Sequence, residues 1–140
     1  MAVLKSQGAG IFIGDGSSPQ TYTEIPKVTS ISGPTGSAAV IPITSLDSSA
    51  VEKIMGLPDE GQVTLAMGWQ GETGNATQVL LRTLRNSQTL TAFEIRLSDS
   101  PETRYAFDAY ITNWEQDVGV DSVTTVSVTL EITGSVISIV

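Results

Sequence analysis

The chain has 140 residues, the size of one domain and long enough to bury a core without disulfides or metal. It contains no Cys and, with a formal net charge of −8, no His, so disulfide frameworks, thiolate zinc sites, Cys nucleophiles and the Ser-His-Asp triad are excluded. The same acidic balance, seven Lys and Arg against fifteen Asp and Glu, argues against a surface that grips nucleic acid.

Charged residues make up 16% of the chain, below the usual ~25%, and Ser, Thr, Gly and Val take their place. That composition favours strands punctuated by turns. Residues 1–10 carry one Lys and no long apolar run, so they read as a mobile arm and not as a signal peptide. No stretch approaches the roughly 18–20 apolar residues of a membrane span, and synthesis in the cytoplasm is expected.

Ile11 to Ile13 is a short apolar strand, closed by the turn Gly14-Asp15-Gly16-Ser17-Ser18-Pro19. Tyr22 to Ile31 is extended, with Pro26 forcing part of it to a sheet edge. Residues 32–61 are broken by Gly33-Pro34, Gly36, Pro42, Gly56 and Pro58 and read as a long irregular loop. Within it, extended arms are expected around Ala38 to Ile43. A short helical turn is expected near Ser48 to Ile54, with Ser49 and Glu52 as its capping box. So long a loop inside a small domain is usually functional.

Gln62 to Trp69 alternates, with Val63, Leu65, Met67 and Trp69 on one face. Asn75 to Arg85 is predicted helical: Asn75 is the N-cap, Ala76, Leu80 and Leu84 form the apolar stripe with Val79 and Thr83 beside them, and Arg82 and Arg85 sit near the C-terminal end. Three strands follow. Thr91 to Leu97 buries Phe93, Ile95 and Leu97. Arg104 to Asp117 buries Tyr105, Phe107, Ala109 and Ile111, and Trp114 falls on the opposite face with Asp108 and Thr112, or at a strand edge. Val123 to Thr133 buries Val126, Val128, Leu130 and Ile132. The turn Asp117 to Asp121 makes the last two a hairpin. The fold expected is mostly β: a sandwich or barrel of two packed sheets flanked by one helix, in a single domain spanning 1–140.

Chemical motifs are sparse. Asn75-Ala76-Thr77 matches a glycosylation sequon, but Asn75 is better read as a helix cap. Gly8, Gly10 and Gly14 lack phosphate-loop spacing, and no Gly-Lys-Ser/Thr occurs. Asp15, Asp117 and Asp121 are turn residues without the ligand run of a calcium loop. Glu115 and Asp117 are a carboxylate pair that solvation explains as well as acid–base chemistry does. A Ser/Lys dyad stays open as well. No catalytic residue, metal site or cofactor is assigned.

Two segments carry more apolar surface than their own pattern can bury. Residues 32–61 include Ile41, Ile43, Leu46, Val51, Ile54, Met55 and Leu57, and a greasy loop calls for a partner to cover it. The C-terminus ends Val136-Ile137-Ser138-Ile139-Val140, a bare β-prone tail that is tolerable if it pairs with a neighbour, or else is the last strand of its own sheet.

The run from Val28 to Leu65, VTSISGPTGSAAVIPITSLDSSAVEKIMGLPDEGQVTL, resembles the major tail tube proteins of lambda-like, non-contractile-tailed bacteriophages. The shared features are a Gly-rich turn, an I-x-x-T-S-L-D-S stretch, an E-K-x-x-G-L-P-D-E-G segment and an alternating strand after it. The likeness is most specific from Ile43 to Leu65, and the order strand, helix, strands extends it. The resemblance implies hexameric rings stacked into a hollow tube through which the genome passes. It implies no enzymatic activity, a place in the virion tail, and tape-measure, tail-tip and terminator proteins as partners. It maps contact with the next ring onto Ser45 to Glu60. The residues to watch there are Leu46, Asp47, Val51, Glu52, Ile54, Met55, Leu57, Asp59 and Glu60.

Some relatives add an immunoglobulin-like domain after the tube domain, and none is expected here. The tube protein of bacterial type VI secretion shares the architecture. On the residues themselves, Ile137, Ile139 and Val140 are the expected subunit contact. Glu94, Asp108 and Glu131, on the polar faces of three strands, are the expected lumen lining, where negative charge keeps DNA from sticking. DNA is thus expected to pass without specific binding, and no membrane is involved. A second reading is a monomeric β-sandwich module that binds carbohydrate through Trp114. A third is a hydrolase using a carboxylate pair.

Overall fold

The computed structural model describes residues 8–16, 21–99, 101–120 and 123–139, except the Ile139 side chain. Nine strands and one helix are formed among them, in the order β1 (Gly10–Gly14), β2 (Tyr22–Glu24), β3 (Val28–Ser32), β4 (Ser37–Pro42), β5 (Lys53–Asp59), β6 (Gln62–Gly68), α1 (Ala76–Ser87), β7 (Thr91–Arg96), β8 (Arg104–Asp117) and β9 (Thr125–Ile139). Seven strands make one antiparallel sheet in the order β2-β1-β7-β8-β9-β6-β3, and β4 and β5 pair as a separate two-stranded sheet.

The two edge strands of the large sheet, β2 and β3, are joined by only Ile25, Pro26 and Lys27. The sheet therefore curls and brings its two edges close together, and the Ile25 N–H, which bonds the Ile11 carbonyl at 3.0 Å, carries the β1–β2 ladder up to this corner. Pro26 cannot donate to a ladder, which breaks Tyr22 to Ile31 into two strands at this corner.

One core fills the curl. It takes Ile11 and Ile13 from β1, Val63, Leu65 and Met67 from β6, Phe93 and Ile95 from β7, Phe107, Ala109 and Ile111 from β8, and Val126, Val128, Leu130 and Ile132 from β9. Strict alternation along each strand produces this set, because successive side chains point to opposite faces. Phe93 and Phe107 face one another across β7 and β8 and stack at 6.0 Å.

Bulges break the alternation twice in the β8–β9 pair. Between Ile111 and Asn113 the register slips, so Asn113 opposes Thr129 and Trp114 opposes Val128. A one-residue slip moves every later side chain to the other face. Trp114 therefore turns inward, packs on the core and meets Trp69 edge-to-face at 5.3 Å. Its expected place beside Asp108 and Thr112 is corrected. The second slip, between Ala106 and Asp108, falls where β9 passes Gly134 at φ +83.

The helix starts where Asn75 accepts hydrogen bonds from the N–H groups of Thr77 (2.9 Å) and Gln78 (3.3 Å). Its rotation differs from the sequence expectation. Gln78 and Leu81 are fully buried, whereas Ala76 and Leu80 are exposed. The Gln78 amide donates to the carbonyls of Gly68 (2.9 Å) and Pro26 (3.2 Å) and accepts from the N–H of Gln70 (3.0 Å). These bonds satisfy backbone groups at the end of β6 and the β2–β3 corner, so a polar residue outcompetes Leu80 for the interior.

Candidate assembly surfaces

The β4–β5 ribbon is rooted where residues 33–36 cross residues 59–62. Gly33 (φ +108) and Gly61 (φ +78) adopt a backbone only Gly takes easily, and a Cβ on either would collide with the opposing segment. The Gln62 N–H bonds the Thr35 hydroxyl at 3.1 Å and the Gly61 N–H bonds the Asp59 carboxylate at 2.9 Å. The segment 32–61, expected as an irregular loop, is thus mostly a hairpin. Local Gly and Pro hid pairing that depends on contacts between its two arms.

Cross-strand partners share a face. Val40 opposes Met55 on one side of the ribbon, and Ile41 opposes Ile54 on the other. Both sides are therefore apolar, and neither is covered: Met55 is 68% and Ile54 49% exposed, and Val40, Ile41, Ile43, Leu46, Val51 and Leu57 are exposed as well.

The helical turn expected at Ser48 to Ile54 is absent; Lys53 and Ile54 are already strand. In its place a net of hydroxyls and carboxylates braces the tip. The Ser45 hydroxyl donates to Asp47 at 2.5 Å and the Ser48 hydroxyl to Glu52 at 3.2 Å, while the Glu52 N–H reaches the Thr44 hydroxyl at 2.8 Å. The Ser45 bond holds the Asp47 carboxyl below the usual aspartate range. Of the residues expected to meet the next ring, Leu46, Val51, Ile54, Met55 and Leu57 are exposed side chains. Asp47, Glu52 and Asp59 also hold the hairpin in shape, and Glu60 is half-buried at its root.

The opposite end of the sheet carries a second apolar surface. Gly68 of β6 pairs with Thr125 of β9, which pairs with Asp117 of β8, so the β8–β9 turn lies at the end away from Gln62. Val118, Val120 and Val123 are exposed there. Below them is a cleft of about 380 Å³ lined by Val28, Gly68, Trp69 and Val123 among others, with Lys27 beside them. Asp121 lies outside the described residues, as do residues 17–20 of the first turn.

Glu94, Asp108 and Glu131 do share the outer face of the sheet, since Phe12 and Ala106 oppose Glu94, Ala92 opposes Asp108 and Tyr110 opposes Glu131. Their environments differ. Asp108 is exposed and Glu131 half-buried, but Glu94 is only 3% exposed and ion-paired with Arg96, whose guanidinium lies 4.0 Å over the Phe12 ring. Glu94 therefore offers no free carboxylate, a correction to its expected lumenal role: a charge that neighbouring side chains bury must be paired. Nearby, burial, with Glu94 and Asp108 adding to it, raises the Tyr22 phenol above the usual tyrosine value. Around Thr64, Ala66, Ser127 and Thr129 this face carries small uncharged side chains, while Glu24, Arg104 and Glu115 add charge elsewhere on it.

The C-terminal tail is the end of β9 and pairs with β8 of its own chain, with Ile137 opposite Ala106 and Ile139 opposite Arg104. Val136 packs on the core. Of the expected contact residues, Ile137 is 60% exposed on the outer face. The Ile139 side chain and Val140 lie outside the described residues, as do residues 1–7 of the expected arm. The Trp69–Trp114 pair is edge-to-face and packed against the core, not a flat platform for a sugar ring.

A family model described as "Phage tail tube, TTP, lambda-like" matches residues 2–104. No curated protein sequence matches the chain. Among solved structures, the tail of an empty gene transfer agent particle, refined with C6 symmetry, is similar at a TM-score of 0.78 and 12% identity, covering 99% of this chain and 100% of that one. The SPP1 tail tube is similar at 0.72 and 13% identity, covering 97% of this chain and 78% of that one. The sheath/tube terminator of an extracellular contractile injection system is similar at 0.75 and 15% identity, covering 100% and 99%.

Proposed function

The chain belongs to the lambda-like phage tail tube family, and on that premise we propose that it is the repeating subunit of a tail tube in the virion, a non-enzymatic conduit for DNA. Copies close into six-fold rings, the symmetry of the gene transfer agent tail whose fold this chain shares. Rings stack through the segment Ser45 to Glu60. The tube meets other tail components at its ends, as the likeness to a sheath/tube terminator suggests.

The observation that carries this reading is the two-sided apolar hairpin. An isolated two-stranded ribbon is marginal in water, and this one leaves both faces uncovered by its own domain. At about 25 cal/mol per Å² buried, docking it against a neighbour is strongly favourable, and the same contact repeats around each ring. The net charge of −8 suits a wall past which a polyanion must slide.

Negative-stain electron microscopy of the purified protein at high concentration tests the proposal. Hollow tubes or stacked six-fold rings are expected. A protein that stays monomeric at every concentration would sink it.

A further inference from the structure

Among the described residues, most of the exposed large apolar side chains fall in two places, the β4–β5 hairpin and the turn between β8 and β9. The register puts these at opposite ends of the same strands: the hairpin is rooted at Gln62, and the turn closes beside Gly68. We infer that in the stacked tube the hairpin of one copy docks on the opposite end of a copy in the next ring, on Val118, Val120 and Val123 and in the cleft beside Trp69. This rests on the tube reading above and names the surface that receives the hairpin.

Three features favour a second copy of this chain as the occupant. Two different patches at opposite ends of one subunit form a head-to-tail contact, which leaves a free end after every addition and so propagates without limit. A tube requires that kind of contact between rings; a self-complementary patch closes after two. The hairpin also projects from its root: its paired arm from Ser37 to Ile43, at about 3.3 Å per residue, spans about 20 Å. Its tip carries Asp47 and Glu52, whereas the cleft holds Lys27, which makes no ion pair among the described residues. Opposite charges at the rim of an apolar contact fix orientation more than they add affinity.

Two assembly-defective proteins test this together. One carries Ile54→Ser, Met55→Ser and Leu57→Ser in the hairpin; the other carries Val118→Ser, Val120→Ser and Val123→Ser at the far end. All six side chains are exposed, so both proteins should keep wild-type circular dichroism and neither should form tubes. Each retains the half that the other lacks. Rings of each variant, formed separately and then mixed in equal amounts, should therefore associate once and stop, giving particles two layers deep by electron microscopy and sedimentation. Tubes formed by the far-end variant alone, or no association in the mixture while the wild type makes tubes, would overturn the inference. Absence of tubes from the wild type would instead remove the tube reading on which it rests.

A second measurement does not depend on serine variants. The chain has no Cys, so Leu46→Cys or Met55→Cys, each combined with Val123→Cys, introduces the only thiols. Oxidation of assembled tubes should give a ladder of covalent multimers from at least one double variant and at most dimers from each single variant. Monomer alone from both double variants, in tubes seen by microscopy, would assign the receiving surface elsewhere.

Discussion

Arg96 in β7 and Arg104 in β8 lie directly opposite one another across their hairpin, and each is paired with the glutamate two residues before it, Glu94 and Glu102. Like charges placed opposite each other in a sheet repel, and the two carboxylates offset that repulsion. The pairs are unequal, since Glu94 is buried and the Arg104–Glu102 pair, at 3.5 Å, is largely exposed.

Glu94→Gln should therefore destabilise the monomer by about 2 kcal/mol, because it leaves the partly buried Arg96 without its counter-charge. Glu102→Gln should change stability by less than about 0.5 kcal/mol. Denaturant unfolding of both variants checks the contrast. Adding Arg96→Met to Glu94→Gln should recover most of the loss, since it removes the stranded cation.

Gln78→Ala should lower stability by about 3 kcal/mol, since it strands the Gln70 N–H and the carbonyls of Gly68 and Pro26 at a buried site. Calorimetry should show a Tm lower by roughly 10 °C. Gln78→Glu adds a pH dependence. Burial and two facing carbonyls raise its folded pKa above the unfolded glutamate value, so the protonated form is the tolerated one. The deficit against wild type should be smallest below about pH 4.3 and grow as pH rises.

Hydrogen exchange should find the amides of β4 and β5 fast in the free subunit and protected in tubes, while β6, β8 and β9 stay protected in both states. Equal protection of the hairpin in both states would mean that the ribbon is stable by itself and that stacking does not order it.

For the tail, Ile137→Ser should leave the monomer within about 0.5 kcal/mol of wild type, because the side chain is exposed. If Ile137 is a contact between subunits, the same change should raise the concentration needed for ring formation. Deleting Val136 to Val140 should instead destabilise the monomer itself, since it removes a core contact and the ladder to Arg104–Ala106.

The lumen proposal is best tested with Asp108→Lys and Glu131→Lys together, leaving Glu94 in place. Rings should still form. A cationic wall should then hold a short DNA duplex in a salt-dependent way and slow genome delivery. Unchanged DNA retention and infectivity would place this face outside the channel.

The sequence by itself determined which residues are core in β6, β7, β8 and β9, because alternation is a local consequence of the pleat, and it determined the helix start, because Asn75 caps its own helix. It also singled out the segment after Ser32 for its apolar content and its family likeness, the basis on which an assembly role is proposed for it. Only the tertiary structure decided the rest. The rotation of α1 follows from three bonds between Gln78 and backbone groups of Pro26, Gly68 and Gln70, the first of them 52 residues away along the chain. The inward turn of Trp114 follows from a bulge set by pairing between β8 and β9. The burial of Glu94 follows from Phe12 and Arg96 meeting over it from adjacent strands. Each is a contact between distant segments that no local pattern encodes. The same holds for the two apolar ends of the sheet: the sequence contains both, but only the strand register puts them at opposite poles of the subunit.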